Sequence, residues 1–158
     1  MNTQKSVARE VLISSHSPTH WQKRQQERSN WLGVKKEKRK SKKEVPFGEY
    51  PVDEELYPVL VLLNQLGITT EYSCAGVSIL DDPEDHSLYA YVTFWDSSIA
   101  QHFIQYVITR MKHRAMITFE PERQRYDLSS FYIMHNRSFC LLLFHVVKSY
   151  QQEFHTNQ

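Results

Sequence analysis

The chain has 158 residues, 41% of them hydrophobic and 13% aromatic, enough for one ordinary core and short of two. No apolar run approaches the roughly 18 residues a membrane-spanning helix needs, and the polar start MNTQKSVARE lacks the apolar region of a secretory leader, so the sequence reads as a soluble, cytoplasmic-type protein. Two cysteines, Cys74 and Cys140, are too few for a disulfide framework or a four-cysteine zinc site.

The net charge of +1 conceals an asymmetry. Residues 1–43 carry twelve Lys/Arg against three Glu, net +9, whereas residues 44–158 carry seven against fifteen acidic residues, net −8. Two parts follow: a basic arm over 1–44, expected to be largely disordered or to fold on a partner, and an acidic domain over 45–158. Between Ser14 and Lys43 only Trp21, Trp31, Leu32 and Val34 are markedly apolar, too little to offset chain entropy. In a helix, Trp21 and Trp31 would share a face, either as a docking stripe or folded back on the domain. Lys35, Lys36, Lys38, Arg39, Lys40, Lys42 and Lys43, with Trp31 beside them, are the candidate contacts to nucleic acid, since neutralising phosphates releases counterions whatever the base sequence. The same charge could instead meet an acidic protein partner or the acidic domain itself.

Residues 45–51, with two prolines and a glycine, read as an irregular, extended lead into the domain. Leu56, Val59, Leu60, Leu63 and Leu66 then follow helical spacing, closed by Gly67. Residues 68–73 and 88–95 read as strands, with a loop between them carrying Cys74, Gly76, Asp81, Asp82, Glu84, Asp85 and His86. An amphipathic helix through Ile99, Phe103, Ile104, Val107 and Met111 starts at a cap on Asp96 or Ser97. Strands over 115–120 and 128–135 follow, then a largely buried helix from about 139, capped by Asn136 or Ser138. The order α-β-β-α-β-β-α implies an α+β domain, a mixed or antiparallel sheet with helices mainly on one face.

Chemistry concentrates at Ser73-Cys74-Ala75-Gly76, a small nucleophile-bearing turn where backbone amides can converge on an anion. Ser73, Cys74 and Gly76 form the candidate binding loop, with Cys74 the candidate catalytic residue. The bland reading is a buried thiol beside a glycine required by tight geometry. Asp81, Asp82, Asp85 and His86 could hold a divalent cation or a small molecule with Cys74, but a solvated acidic loop is the preferred reading, and no metal site is assigned. His102, His113, His135 and His145 fall in regular elements and read as structural. There is no P-loop, GxGxxG, HExxH or CxxC. Tyr89, Tyr91, Phe94 and Trp95 could stack on bases if one sheet face were open, with core packing the stronger reading.

The run from Leu63 through Gly67-Ile68-Thr69-Thr70-Glu71-Tyr72-Ser73-Cys74-Ala75-Gly76, followed by Thr118-Phe119-Glu120-Pro121, resembles the wybutosine-synthesising tRNA methyltransferase family, with Ala75 and Val77 in place of that family's serine and arginine. The resemblance implies an S-adenosylmethionine-binding, tRNA-modifying α/β domain with Ser73, Cys74 and Gly76 in the binding loop. The phrase around Ser73-Cys74 is also similar to small Firmicute and phage proteins. Together these readings favour an RNA-associated protein, with a non-enzymatic regulatory or interaction protein as the alternative and RNA modification as the second alternative.

Overall fold

The computed structural model describes residues 10–155. Its elements are β1 (Val11–Leu12), α1 (Pro18–Gly33), β2 (Glu44–Phe47), β3 (Tyr50–Asp53), α2 (Tyr57–Gln65), β4 (Thr70–Cys74), β5 (Tyr91–Trp95), α3 (Ser98–Met111), β6 (Ala115–Glu120), β7 (Arg125–Ser130) and α4 (Asn136–His155). The main sheet is antiparallel in the order β1-β6-β7-β5-β4, and β2 and β3 form a separate hairpin. The α+β class and the order α-β-β-α-β-β-α hold from α2 to α4. No helix among the described residues is long and apolar enough to cross a membrane.

Alternation along the strands separates two faces. Val92, Phe94, Ile117, Tyr126 and Leu128 are buried and join one core with Leu56, Val59, Leu60 and Leu63 near and in α2, Phe103 and Val107 in α3, and Phe139, Leu143 and Tyr150 in α4. The three helices therefore cover one face. Thr93, opposite Asp127, points the other way. Asp127 is held up to about 6, first by burial and then by the negative charge of Glu10, and a buried oxygen of its carboxylate has no hydrogen-bond partner among the described residues. The α3 cap is Ser97, whose hydroxyl accepts from the Ala100 amide.

Four expectations change. The basic arm is not disordered over residues 10–33: β1 pairs with β6, and Ser17 caps α1 by accepting from the His20 amide, with Pro18 at its first turn. Few apolar groups are needed because α1 docks instead of entering the core: none of its residues is buried. Trp21 meets Phe131 edge-on at 5.1 Å, Arg24 donates to the Phe131 carbonyl, and Glu27 accepts from the amides of Ile133 (2.6 Å) and Met134 (3.1 Å).

The residues 45–51 are not irregular either. Gly48, at φ +62°, occupies the first position of a two-residue turn, and Pro46 lies opposite Pro51. Antiparallel pairs alternate between bonded and non-bonded positions, and counting from the Phe47–Tyr50 pair beside the turn makes the proline pair a non-bonded one, where a missing N–H costs nothing. The strand expected over 88–95 starts only at Tyr91, because the Ala90 amide bonds the Asn136 side chain. The strand expected over 128–135 runs over Arg125–Ser130, and Ile133–His135 forms a short 3-10 turn.

The joint between α1 and the body is rich in histidine. His16 stacks on Phe131 at 4.1 Å, and His20 stacks on His113 at 4.5 Å. His16 is pushed down from 6.5 to about 4, by burial first and then by the positive potential of His20, Arg24 and His113. His113 and His135 are also lowered, mainly by burial. A histidine whose folded pKa is depressed favours the docked state while neutral, so docking is strongest above pH 6.5 and weakens as pH falls towards 4. The Trp21 indole resonance is expected to shift to its solvent-exposed position across that window, before the core unfolds. His16→Phe, which keeps the stack and removes the titration, is expected to flatten the transition.

Candidate functional site

The site forms where three pieces of chain meet: the end of β3, the end of β4 and the loop over residues 75–90. β4 is the sheet's edge strand, and an irregular register between Thr70 and Ser73 lets Cys74 lie opposite Tyr91. Asp53, the last residue of β3 and 7% exposed, accepts from the Ala75 amide at 2.7 Å, fastening the hairpin to the chain just after Cys74. Gly76 then turns the backbone at φ +79°.

Asn136 closes the loop. Buried at the start of α4, its side-chain carbonyl accepts from the Ala90 amide (2.9 Å), and its amide donates to the carbonyls of Val77 (2.9 Å) and Leu88 (2.9 Å). The helix-cap role expected of it is replaced by this clasp. Both ends of the loop are thereby pinned, and a Cβ on Gly76 would lie 2.5 Å from the Asn136 amide nitrogen and 2.7 Å from the Ala90 nitrogen. Only glycine fits a left-handed turn under that clasp.

The closed loop carries His86 back to Cys74. His86 Nδ1 lies 3.5 Å from Cys74 Sγ and 3.7 Å from Asp53 Oδ2, while its Nε2 lies 2.8 Å from Asp82 Oδ2. Ligand atoms of Asp53, Cys74 and His86 all lie within 4.8 Å of one another. With Nε2–H donated to Asp82, Nδ1 is the acceptor that faces the Cys74 thiol. The Cys74 thiol is raised above its ordinary value, by burial first; amide contacts from Gly76 and Ser87 pull it down, Asp53 pushes it up and Lys42 pulls it down. A thiol so placed stays protonated at neutral pH unless a cation joins it.

Around this centre Lys42 is withdrawn from solvent. Its side chain is 2% exposed, and Nζ donates to Asp81 (3.0 and 3.1 Å) and to Glu55 (3.3 Å). Burial alone would lower Lys42, but the bond to Asp81 and the charges of Glu55 and Asp81 raise it instead. A polar cavity of about 430 Å³ opens beside His86 and Asp82 and is bordered by Lys38, Arg39 and Pro83.

The sequence-based candidates therefore divide. Cys74, Asp82 and His86 come together, and Gly76 shapes the turn. Ser73 pairs with Val92 in the strand ladder and contributes no side chain to the cluster. Asp81 binds Lys42, and Asp85 lies exposed at the cavity rim. Asp53 was missed: helix α2 and strand β4 separate it from Cys74, and a single aspartate at a strand end carries no local signature. Of the arm residues, Lys42 is buried in ion pairs, and Lys36 Nζ bonds the Trp31 (2.6 Å) and Val34 (3.0 Å) carbonyls. Lys35, Lys38, Arg39, Lys40 and Lys43 are exposed. His102 bonds the Tyr150 hydroxyl at 2.8 Å, a structural role.

Comparison with family models, with curated proteins and with solved structures finds no match to this chain.

Asn136→Ala leaves three backbone groups at the loop ends without partners, and at about 1–3 kcal/mol for each unsatisfied buried group it is expected to cost at least about 3 kcal/mol in chemical denaturation. Gly76→Ala, strained in backbone and blocked by the clasp, is expected to cost about 2 kcal/mol or more. Ser138→Ala, which removes an exposed bond to the His135 carbonyl, is the comparison expected to change stability little.

Proposed function

We propose that this chain is a metal-dependent protein whose centre is a single divalent ion, zinc by donor type, held by Cys74, His86 and Asp53. The observation that carries this reading is the spacing of unlike donors. In a tetrahedral site with Zn–N of about 2.0 Å and Zn–S of about 2.3 Å, the nitrogen and sulfur are separated by about 3.5 Å, the distance between His86 Nδ1 and Cys74 Sγ. The 3.7 Å between Nδ1 and Asp53 Oδ2 is too long for a direct hydrogen bond and exceeds by a few tenths of an ångström the separation of about 3.3 Å between two such ligands of a tetrahedral ion, a gap that a small movement of the carboxylate closes. Asp82 on the far nitrogen is the carboxylate partner that ligating histidines commonly carry.

Charge supports the same reading. Asp53 and Asp82 flank His86, while Lys42, whose charge reaches Cys74, is neutralised by Asp81 and Glu55. A thiolate, an imidazole and a carboxylate form a set of intermediate softness that suits zinc better than calcium or magnesium. Three protein ligands leave a fourth position for water or a substrate oxygen, as in catalytic zinc sites, whereas structural sites close all four. The chemistry expected is Lewis-acid or hydrolytic.

Purified protein is expected to retain about one zinc per chain, and cobalt exchange is expected to give an intense near-ultraviolet thiolate band. Cys74→Ala and His86→Ala are expected to abolish both, and Asp82→Ala to weaken affinity about 10- to 100-fold. Metal-free protein that neither binds nor is stabilised by zinc, with Cys74 alkylated at the same rate in zinc's presence, would sink this reading. It would leave Cys74, His86 and Asp82 as a thiol, base and orienting carboxylate in the order nucleophilic catalysis uses.

A second reading concerns polyanions. Lys35, Lys38, Arg39, Lys40 and Lys43 are exposed and make no ion pair among the described residues, which supports RNA contact beside the metal centre. Replacing all five with Gln is expected to remove most of the salt-dependent retention on RNA without altering zinc content. Unchanged retention would exclude this segment as the contact.

A further inference from the structure

Helix α1 is fastened along one part of its length. Trp21, Arg24 and Glu27 reach Phe131, Ile133 and Met134, but past Glu27 the helix continues through Trp31 to Gly33 with no buried residue. A groove of about 1470 Å³ runs along α1 from Thr19 to Val34, between the helix and the body. Its apolar lining includes Trp31 and Val34 on one side and Ile79, Leu80, Ile133 and Met134 on the other. Ile79 is 61% exposed, Leu80 64%, Val34 61% and Met134 84%, so aliphatic surface from three separated parts of the chain converges on one unfilled cleft. Single exposed apolar residues are ordinary, but a grouped set along a concave surface marks a contact site.

Charge around the groove selects the occupant. Lys23, Lys36 and Arg137 line it, together with His20, His113 and His135. Glu27 is the lining carboxylate, and both its oxygens are engaged by the amides of Ile133 and Met134. We propose that this groove binds an acidic amphipathic helix from a protein partner, with leucine-like side chains on Ile79, Leu80, Met134 and Val34 and carboxylates facing Lys23, Lys36 and Arg137. The shape fits a helix laid beside a helix: α1 has sixteen residues, about 24 Å at 1.5 Å per residue, enough for four turns of a partner. Methionine adapts to varied side chains, which suits Met134 at the open end.

RNA fits this groove less well. The aliphatic wall of Val34, Ile79, Leu80 and Met134 offers bases nothing to bond, and the amides that could do so, Gln22, Gln26 and Asn30, stand on the helix side alone; the Trp31 ring has Lys36 Nζ 4.9 Å from its centre, and the Tyr132 ring is packed edge-on against Phe131 at 5.0 Å. The stacking surface that single strands use is thus reduced at both rings. The groove and the proposed metal centre are separate surfaces, so this inference stands without that centre.

The test uses the full chain and three defined probes: a sixteen-residue peptide with leucine at helical i, i+3, i+4 and i+7 spacing and glutamate elsewhere, the same peptide with lysine for glutamate, and a dodecamer of uridylate. The glutamate peptide is expected to bind saturably by fluorescence anisotropy and to shift the methyl resonance of Met134, while the lysine peptide and the uridylate do not. Leu80→Glu and Met134→Glu, both at exposed positions, are each expected to weaken binding at least about tenfold, equal to about 1.4 kcal/mol. The proposal is overturned by absent binding of the glutamate peptide, by binding that ignores both substitutions, or by preference for the lysine peptide. Competition from uridylate at the same methyl, or a Met134 shift that follows protein concentration alone, would assign the groove to RNA or to a second copy and overturn it equally.

Discussion

One buried side-chain amide organises the functional half of this molecule. Asn136 uses both hydrogens of its amide and its carbonyl oxygen to hold Val77, Leu88 and Ala90, the two ends of a loop that the Val77 amide also joins by donating to the Ser87 carbonyl at 2.9 Å. A buried backbone amide or carbonyl demands a partner, and here one residue supplies three. With the loop ends pinned at the start of α4, the intervening chain must fold back, and that return brings His86 beside Cys74. The clasp also explains Gly76, since the side chain that closes the loop occupies the space a Cβ would need.

The α+β order was readable because each element announces itself through short-range periodicity. Leu56, Val59, Leu60 and Leu63 repeat at helical spacing, and each is buried in the shared core. Phe139 to Val147, an apolar run read as a helix, is one: Phe139, Cys140, Leu143, Val146 and Val147 bury one stripe while Leu141 stays 61% exposed. What failed to show was anything set by partners distant in sequence. Helix α1 has almost no apolar stripe of its own and exists as a docked element because Trp21 finds Phe131, about 110 residues away in the chain. The proline-bearing hairpin was hidden because its legality depends on which pairs are bonded, a property of register and not of composition. At the site, Cys74, Asp82 and His86 stood out by residue type, but their convergence rests on Asn136, whose role as a clasp has no local signature.

The charge asymmetry is resolved partly inside the fold. Lys42 leaves the basic run to bridge Asp81 and Glu55, and Asp81, raised by burial but lowered more strongly by Lys42 and the Asp82 amide, ends below its ordinary value. The pair joins the end of the arm to the loop and to the turn preceding α2. The opposite ends of the chain's charge distribution thus meet at a half-buried contact, where Coulomb attraction is less screened than between fully exposed groups. The remaining exposed cations stand on the segment just before it, so the same run serves as an internal tether at Lys42 and as a positive surface at Lys38 and Arg39.

That tether bears on the centre it adjoins. Moving a carboxylate out of water is costly unless a cation or several hydrogen bonds compensate, and Asp53 is 7% exposed with a single amide bond, from Ala75. Lys42, committed to Asp81 and Glu55, is not among its hydrogen-bond or ion-pair partners. His86 Nδ1 stops 3.7 Å from Asp53, beyond hydrogen-bond reach, while its other nitrogen closes to 2.8 Å on Asp82. The asymmetry is what one bonded and one ligating nitrogen would produce, and an ion seated among Asp53, Cys74 and His86 would compensate the buried carboxylate and draw the proton off the raised thiol together.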